Sequence, residues 1–216
     1  TVANRNVVVF APAEVRLLEA FADQATLALE NARLYEDMER RRREAEVLAE
    51  ISRTINASLD VDTVLQQVVD GARTLCQSDI ARIALRDPQS GAFVFRYWVN
   101  TLYEGYDRAR IDPGTWSLGG LALESRRPVR TADWMTDPRF SKEISSVGEA
   151  EGIGPQMAVP ILIGTEVEGV LYVDNRTHRP FTDLDEAALV RLAGHAAVAI
   201  RNAQLFMTVQ ASGLRL

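Results

Sequence analysis

From Ala13 to Asp70 the chain contains neither glycine nor proline and is dominated by Ala, Leu, Glu and Arg, all strong helix formers. Pro12 suits the first turn of a helix, so this stretch predicts a helix from Pro12 to about Ala57. Counted from Leu27, the a and d positions of a heptad are Leu27, Asn31, Leu34, Met38, Arg41, Ala45, Leu48, Ser52, Ile55 and Leu59. Seven of these ten are apolar, which makes an imperfect coiled-coil seam. The arginine run Arg40 to Arg43 is interleaved with acids at helical spacing: Glu36 with Arg40, Asp37 with Arg41, Glu39 with Arg43, and Arg42 with Glu46. Such pairs describe a solvated helix face, with a phosphate- or membrane-binding patch as the other reading.

After "NASLD", where Ser58 or Asp60 can cap a new helix, "VDTVLQQVVDGARTLC" places Val61, Val64, Leu65, Val68, Val69 and Ala72 on one face. The period then changes to that of strands. "IARIALRD" and "AFVFRYWV" flank the turn "DPQSG" and read as a hairpin. Residues 100–155 are irregular and glycine-rich, with a short helix expected over Gly120 to Arg126 and a brief strand at "PVRTAD". "QMAVPILIG" and "EVEGVLYVDN" are two apolar strands around a tight turn, and a last helix is expected from about Thr182 to Val209.

The chain also repeats itself. Shifted by 171 positions, "TVANRNVVVFAPAEVRLLEAFADQATLALENARLY" lies over "YVDNRTHRPFTDLDEAALVRLAGHAAVAIRNAQLF" with 11 identities in 35, including Asn4/Asn175, Arg5/Arg176, Phe10/Phe181 and Leu18/Leu189. This period is too long for a solenoid and reads as tandem whole domains. The expected organisation is a last strand and helix of a preceding domain over 1–38, a coiled-coil-like linker helix over 39–57, and a complete domain over 46–209.

A net charge of -6 and a pI of about 5.1 exclude nucleic acid as the main partner, because phosphate binding needs clustered Lys and Arg. No run of 18 apolar residues and no signal-peptide pattern is present, so a cytoplasmic protein without a membrane partner is expected. The single cysteine, Cys76, and two histidines leave few catalytic groupings to write. Cys76 reads as a small buried thiol, His195 as a surface or helix-packing histidine, and His178 as solvated.

In order and spacing, "ISRTINASLDVDTVLQQVV", "ARIALRD", "GGLALESRRPVRTADWMTDPRF", "AVPILIGTEVEGVLYVDNR" and "PFTDLDEAALVRLAGHAAVAIRNAQLF" resemble the GAF domains, small-molecule sensing and dimerisation modules of signalling proteins. The likeness covers about Leu48 to Phe206. It implies an α/β sandwich of the GAF/PAS-like kind, with a six-stranded antiparallel sheet flanked by helices and a long N-terminal signalling helix. It further implies a non-catalytic regulatory or sensory domain of a cytoplasmic, multidomain bacterial signalling protein such as a two-component system. Its output domain would lie outside this chain, and its long helices would pair in a parallel homodimer. A dimerising relay without a pocket is the other reading.

Asn175, Arg176, Phe181, Asp185 and Glu186 resemble the family's Asn-Lys/Arg, Phe, Asp-Glu signature. The expectation here is a structural one, an Arg176–Asp185 ion pair that pins the last strand to the last helix over a buried Phe181. By resemblance, a ligand would sit between the sheet and the irregular segment of about residues 100–157; that segment and the strand before it hold all three tryptophans. Candidate ligand-binding residues are therefore Arg82, Phe95, Trp98, Trp116, Trp134, Phe140 and Gln156, with the alternative that the aromatics fill the space outright. Arg82 is a partner for an anionic ligand or, alternatively, an exposed arginine at an edge or facing a helix. The residues name no cofactor: several cysteines for methionine sulfoxide reduction, a Cys-His pair for a bilin and a phosphate-binding loop are all missing from the sequence.

Overall fold

The computed structural model describes residues 10–57, 60–112, 117–140 and 146–213. Asn4 and Arg5 of the front repeat and Leu59 of the heptad register lie outside the described residues. Two compact units are present, Thr1–Ala45 and Glu46–Leu216.

The first helix, α1, spans Pro12–Ala57. In the first unit its large apolar side chains are exposed, among them Leu18, Phe21, Leu27, Leu29, Leu34 and Met38. Asp37 pairs with Arg41 at 2.9 Å, whereas Glu39 takes Arg42 at 3.0 Å instead of Arg43.

In the second unit, α2 (Val61–Leu75) is capped by Asp60, whose carboxylate accepts from the Asp62 N–H. Its stripe Val64, Leu65, Val68, Val69 and Ala72 is buried, as the sequence period predicts. Gly71 lets α2 approach its neighbours, because a Cβ there would lie 2.9 Å from Val47 Cγ1.

The sheet contains β1 (Ile80–Arg86), β2 (Phe93–Val99), β3 (Arg110–Ile111), β4 (Val129–Thr131), β5 (Gln156–Ile163) and β6 (Glu166–Asp174) in the order β3-β2-β1-β6-β5-β4. Every neighbouring pair is antiparallel. Pro160 stands beyond the end of β4, which pairs only with residues 156–158 of β5, so the missing N–H is tolerated at an open edge.

Alternation along the strands sorts side chains onto two faces. Ala81, Ile83, Met157, Val159, Ile161, Leu171 and Val173 join α2, the end of α1 and α5 (Asp183–Gly213) in one core. Ala84, Phe93, Phe95, Ala158, Val170 and Tyr172 form a second core with Tyr106, Trp134, Phe140 and α3 (Leu118–Ser125).

Within the irregular segment the structure adds three elements not anticipated from sequence: a one-turn 3-10 helix (Tyr106–Arg108), the two-residue β3, and α4 (Ser146–Glu151). They are too short for periodicity to register. α3 starts two residues earlier than expected, because Ser117 is its N-cap and accepts from the Gly120 N–H at 3.0 Å. It ends where Arg126 adopts a left-handed φ of 55°. Thr182 caps α5 instead of opening it, and the helix runs on to Gly213.

Candidate functional site

The face toward α3 carries an unusual amount of buried polarity. Arg82 lies in β1, the third strand of six, and is only 3% exposed, while Asp174 of β6 is fully buried. The guanidinium forks onto the carboxylate: Nε donates to Oδ2 at 3.0 Å and Nη2 to Oδ1 at 2.8 Å. Nη1 donates to the Tyr106 hydroxyl at 3.1 Å, and the Gln156 amide donates to Asp174 Oδ1 at 2.7 Å. The rings of Phe95, Tyr106 and Tyr172 stand with their centroids 5.0 to 5.1 Å from Arg82 Cζ.

Sheet register explains the grouping. Gln156 is directly opposite Asp174, Tyr172 is opposite both Arg82 and Ala158, and Trp98 is opposite Arg82 on the other side. The expectation of an exposed or edge arginine at position 82 is corrected, since a central strand with an acid two residues from its cross-strand partner can hold a charge internally. Burial opposes the Arg82 charge, but the Asp174 carboxylate together with the Tyr106 and Tyr172 phenols holds the guanidinium above its usual range. Burial likewise pushes the Asp174 carboxyl up, against the pull of Arg82 and Gln156. The Tyr106 and Tyr172 phenols are raised by burial, so both remain protonated donors at neutral pH.

A second ionic group adjoins the first. Glu151, at the end of α4, accepts from the Leu102 and Tyr103 N–H groups at 2.9 and 2.8 Å and from Arg176 Nη2 at 2.7 Å. Burial alone would raise its carboxyl, but these three donors bring it below its ordinary value. Tyr106 lies between the two groups, receiving the Arg82 bond and standing near enough to Glu151 for that carboxylate to raise its phenol further. The result is a continuous polar spine, Gln156–Asp174–Arg82–Tyr106–Glu151–Arg176.

The expected Arg176–Asp185 pair does not form. Arg176 turns the other way, to Glu151 and to the Asn100 carbonyl at 2.8 Å, because the residue 100–103 bend and the end of α4 lie beside it. Asp185 instead caps α5, accepting from the N–H and the hydroxyl of Thr182, both at 2.8 Å. Asn175 accepts from the Asp79 N–H and donates to the Arg179 carbonyl, which closes the turn after β6. Glu186 lies 3.6 Å from Arg130, and Phe181 is buried in the helical core beneath Arg179.

Beside the spine lies a cavity of about 110 Å³. Arg82, Phe95, Trp134 and Gln156 line it together. Trp98 is half-buried against Tyr106, with ring centroids 5.9 Å apart, and does not line the cavity. Phe140 is buried in the same core but away from the cavity wall, and Trp116 lies outside the described residues. The lining also includes Tyr172, Ser117, Gly119, Arg110 and Ile111, none of which was singled out from sequence. A further sign open to the sequence was the pair of opposite charges, Arg82 and Asp174, inside otherwise apolar strands.

The cavity lining contains no cysteine or histidine, so this arrangement can bind and orient a molecule but offers no thiol or imidazole for covalent or acid–base work. Cys76 is buried in the other core, its thiol 3.6 Å from the Asp185 carbonyl. His195 is half-buried on α5, where burial lowers its basicity. Among the described residues no group of three His, Cys, Asp or Glu side chains is placed to hold a metal ion, and no helix is long and apolar enough to cross a membrane.

Comparison with known proteins agrees with this architecture. The structure is similar to the GAF domain of a phosphoenolpyruvate-protein phosphotransferase from Coxiella burnetii, with a TM-score of 0.66 and 22% identity over 76% of this chain and 96% of that one. It is also similar to the free methionine-R-sulfoxide reductase of Neisseria meningitidis, with a TM-score of 0.62 and 20% identity over 75% and 90%. At these identities the likeness is one of fold. In sequence, 76 residues are 34% identical to part of the HTH-type transcriptional activator RamA of Corynebacterium glutamicum, 35% of this chain and 27% of that protein. The chain thus spans about a quarter of the length of that relative. The family model described as GAF domain matches residues 60–200, about two thirds of the sequence, and the chain therefore belongs to the GAF domain family.

Proposed function

We propose that this chain is a regulatory, non-catalytic GAF module of a cytoplasmic bacterial signalling protein. It binds a small molecule beside the buried spine and passes the change along its helices to an output domain outside these residues. The observation that carries the reading is the cavity itself, bounded by Arg82 and Gln156 of the spine. An occupant that contacts either group alters a network running through Tyr106 and Glu151 to Arg176, the second residue after β6. Such coupling transmits a signal to the extent that the occupant prefers one of two arrangements of the network. The partial likeness to a transcriptional activator supports a place in a regulatory chain.

The repeat supports a tandem organisation. In α5, Leu189, Leu192, Ala193, Ala196, Ala199 and Ile200 are buried against the sheet. Their equivalents in α1 are Leu18, Phe21, Ala22, Ala25, Ala28 and Leu29, and all six are exposed. The same helix face thus recurs in α1 as it would at the end of a preceding GAF domain. Leu34 and Tyr35, like their equivalents Leu205 and Phe206, are exposed in both copies, which supports helix pairing in a parallel homodimer.

A native mass spectrum of the protein as purified, set against its denatured mass, tests the sensor reading. Additional noncovalent mass of a small molecule is the expected result. A protein that carries no added mass, and whose melting temperature no small molecule raises, leaves the pocketless relay in its place.

A further inference from the structure

The cavity also says what class of molecule it takes. A cavity of about 150 Å³ in another protein accommodates benzene, so 110 Å³ selects an occupant smaller than that, well below a nucleotide or a tetrapyrrole.

The polar groups gathered at the start of α3 and at the rim offer donors and positive charge. Tyr172 is 4% exposed, and its hydroxyl has no hydrogen-bond partner among the described residues. That hydroxyl rests against Gly119, where a Cβ would collide with it. Gly119 is the second residue of α3, and the first-turn N–H groups of Leu118 and Gly119 have no acceptor among the described residues, while Ser117 Oγ takes the N–H of Gly120. Unbonded N–H groups at a helix start carry partial positive charge and favour an anion. Arg110 adds an exposed guanidinium at the rim with no ion pair among the described residues. Asp174, the nearest buried acid of the spine, is already neutralised by Arg82. The remaining walls, Phe95, Ile111 and Trp134, are apolar.

We propose that the cavity binds a small organic carboxylate of about two to four carbons, its oxygens on the Tyr172 hydroxyl and the Leu118 and Gly119 N–H groups. Its apolar end lies against Phe95, Ile111 and Trp134. The proposal rests on the sensor reading above and specifies its ligand. A neutral amide of the same shape would lack the negative charge that the helix start and Arg110 favour. An inorganic oxyanion would leave the apolar wall without a partner.

Titration calorimetry on the 216-residue chain, with acetate, propionate, butyrate, propionamide and nitrate as probes, tests this. Binding of at least one carboxylate is expected, with propionamide and nitrate ten-fold weaker or more. Tyr172→Phe keeps the ring and should weaken the carboxylate about 10- to 100-fold while the ligand-free protein melts within a few degrees of the parent. Gly119→Ala, which drives a methyl group into the Tyr172 hydroxyl, should abolish binding. Propionamide or nitrate binding as tightly as propionate overturns the carboxylate assignment while leaving a sensor, as does unchanged affinity in Tyr172→Phe. Silence from every probe, together with a native mass spectrum free of added mass, overturns the sensor reading as well.

Discussion

Arg82 and Asp174 form a fully desolvated ion pair whose two charges are held by a forked contact, a phenol and an amide. Removing one partner of such a pair leaves the other charged and buried, at a cost of about 3–5 kcal/mol. Arg82→Ala and Asp174→Ala are each expected to lose stability of that size in urea unfolding. The double variant Arg82→Met/Asp174→Leu should recover much of it, because an apolar pair of similar volume removes the desolvation penalty. Glu151 provides a titratable check. Its folded pKa lies below the ordinary 4.5, so its contribution is complete above that value and is lost as pH falls through the folded one. As pH falls from above 4.5 through the folded value the parent should lose more stability than Glu151→Gln, which equilibrium unfolding at a series of acidic pH values measures. Identical slopes would show that Glu151 is not held by its donors.

At the scale of elements, short caps decide where helices begin. The Thr182 and Asp185 side chains and N–H groups satisfy one another across the first turn of α5, a reciprocal cap. Its equivalent 171 positions earlier persists in part: the Ala11 N–H donates to Glu14 at 2.8 Å. Asp185→Ala should therefore cost about 1–2 kcal/mol in thermal or urea unfolding, more than an exposed substitution such as Glu186→Ala. The long elements were legible because their periods are sustained. Both apolar strands at 156–174, the hairpin at 80–99 and the stripe of α2 stand where the pattern places them. β3, α4 and the 3-10 helix were not, since two to six residues carry no period and are held by tertiary contacts.

At the scale of the molecule, the proposed seam of α1 has its first members Leu27, Leu34 and Met38 exposed. Leu48, in the same heptad register, instead packs half-buried against the core of the second unit. A seam test therefore belongs at Leu34. Light scattering should show that Leu34→Asp shifts a dimer toward monomer without changing the far-UV spectrum, and a parent that is monomeric at all concentrations would end the dimer proposal. Leu48→Asp would confound assembly with folding, because it places a charge against Ile51, Val64 and their neighbours.

What the sequence by itself determined is whatever depends on local period and composition: the identity of the long helices and strands, the internal repeat and the family. Which side chains meet was decided only by tertiary structure. Arg176 is closer in sequence to Asp185 than to Glu151, yet it pairs with Glu151 because the chain folds α4 back beside the end of β6. Arg82 and Asp174 are 92 positions apart and become partners through strand register alone. Tyr172 gains its unpaired hydroxyl and its place in the cavity only once α3 lies across the sheet. Pairing of charges and enclosure of space are properties of three-dimensional proximity, and a linear pattern carries proximity only over the few residues of a helical turn or a strand repeat.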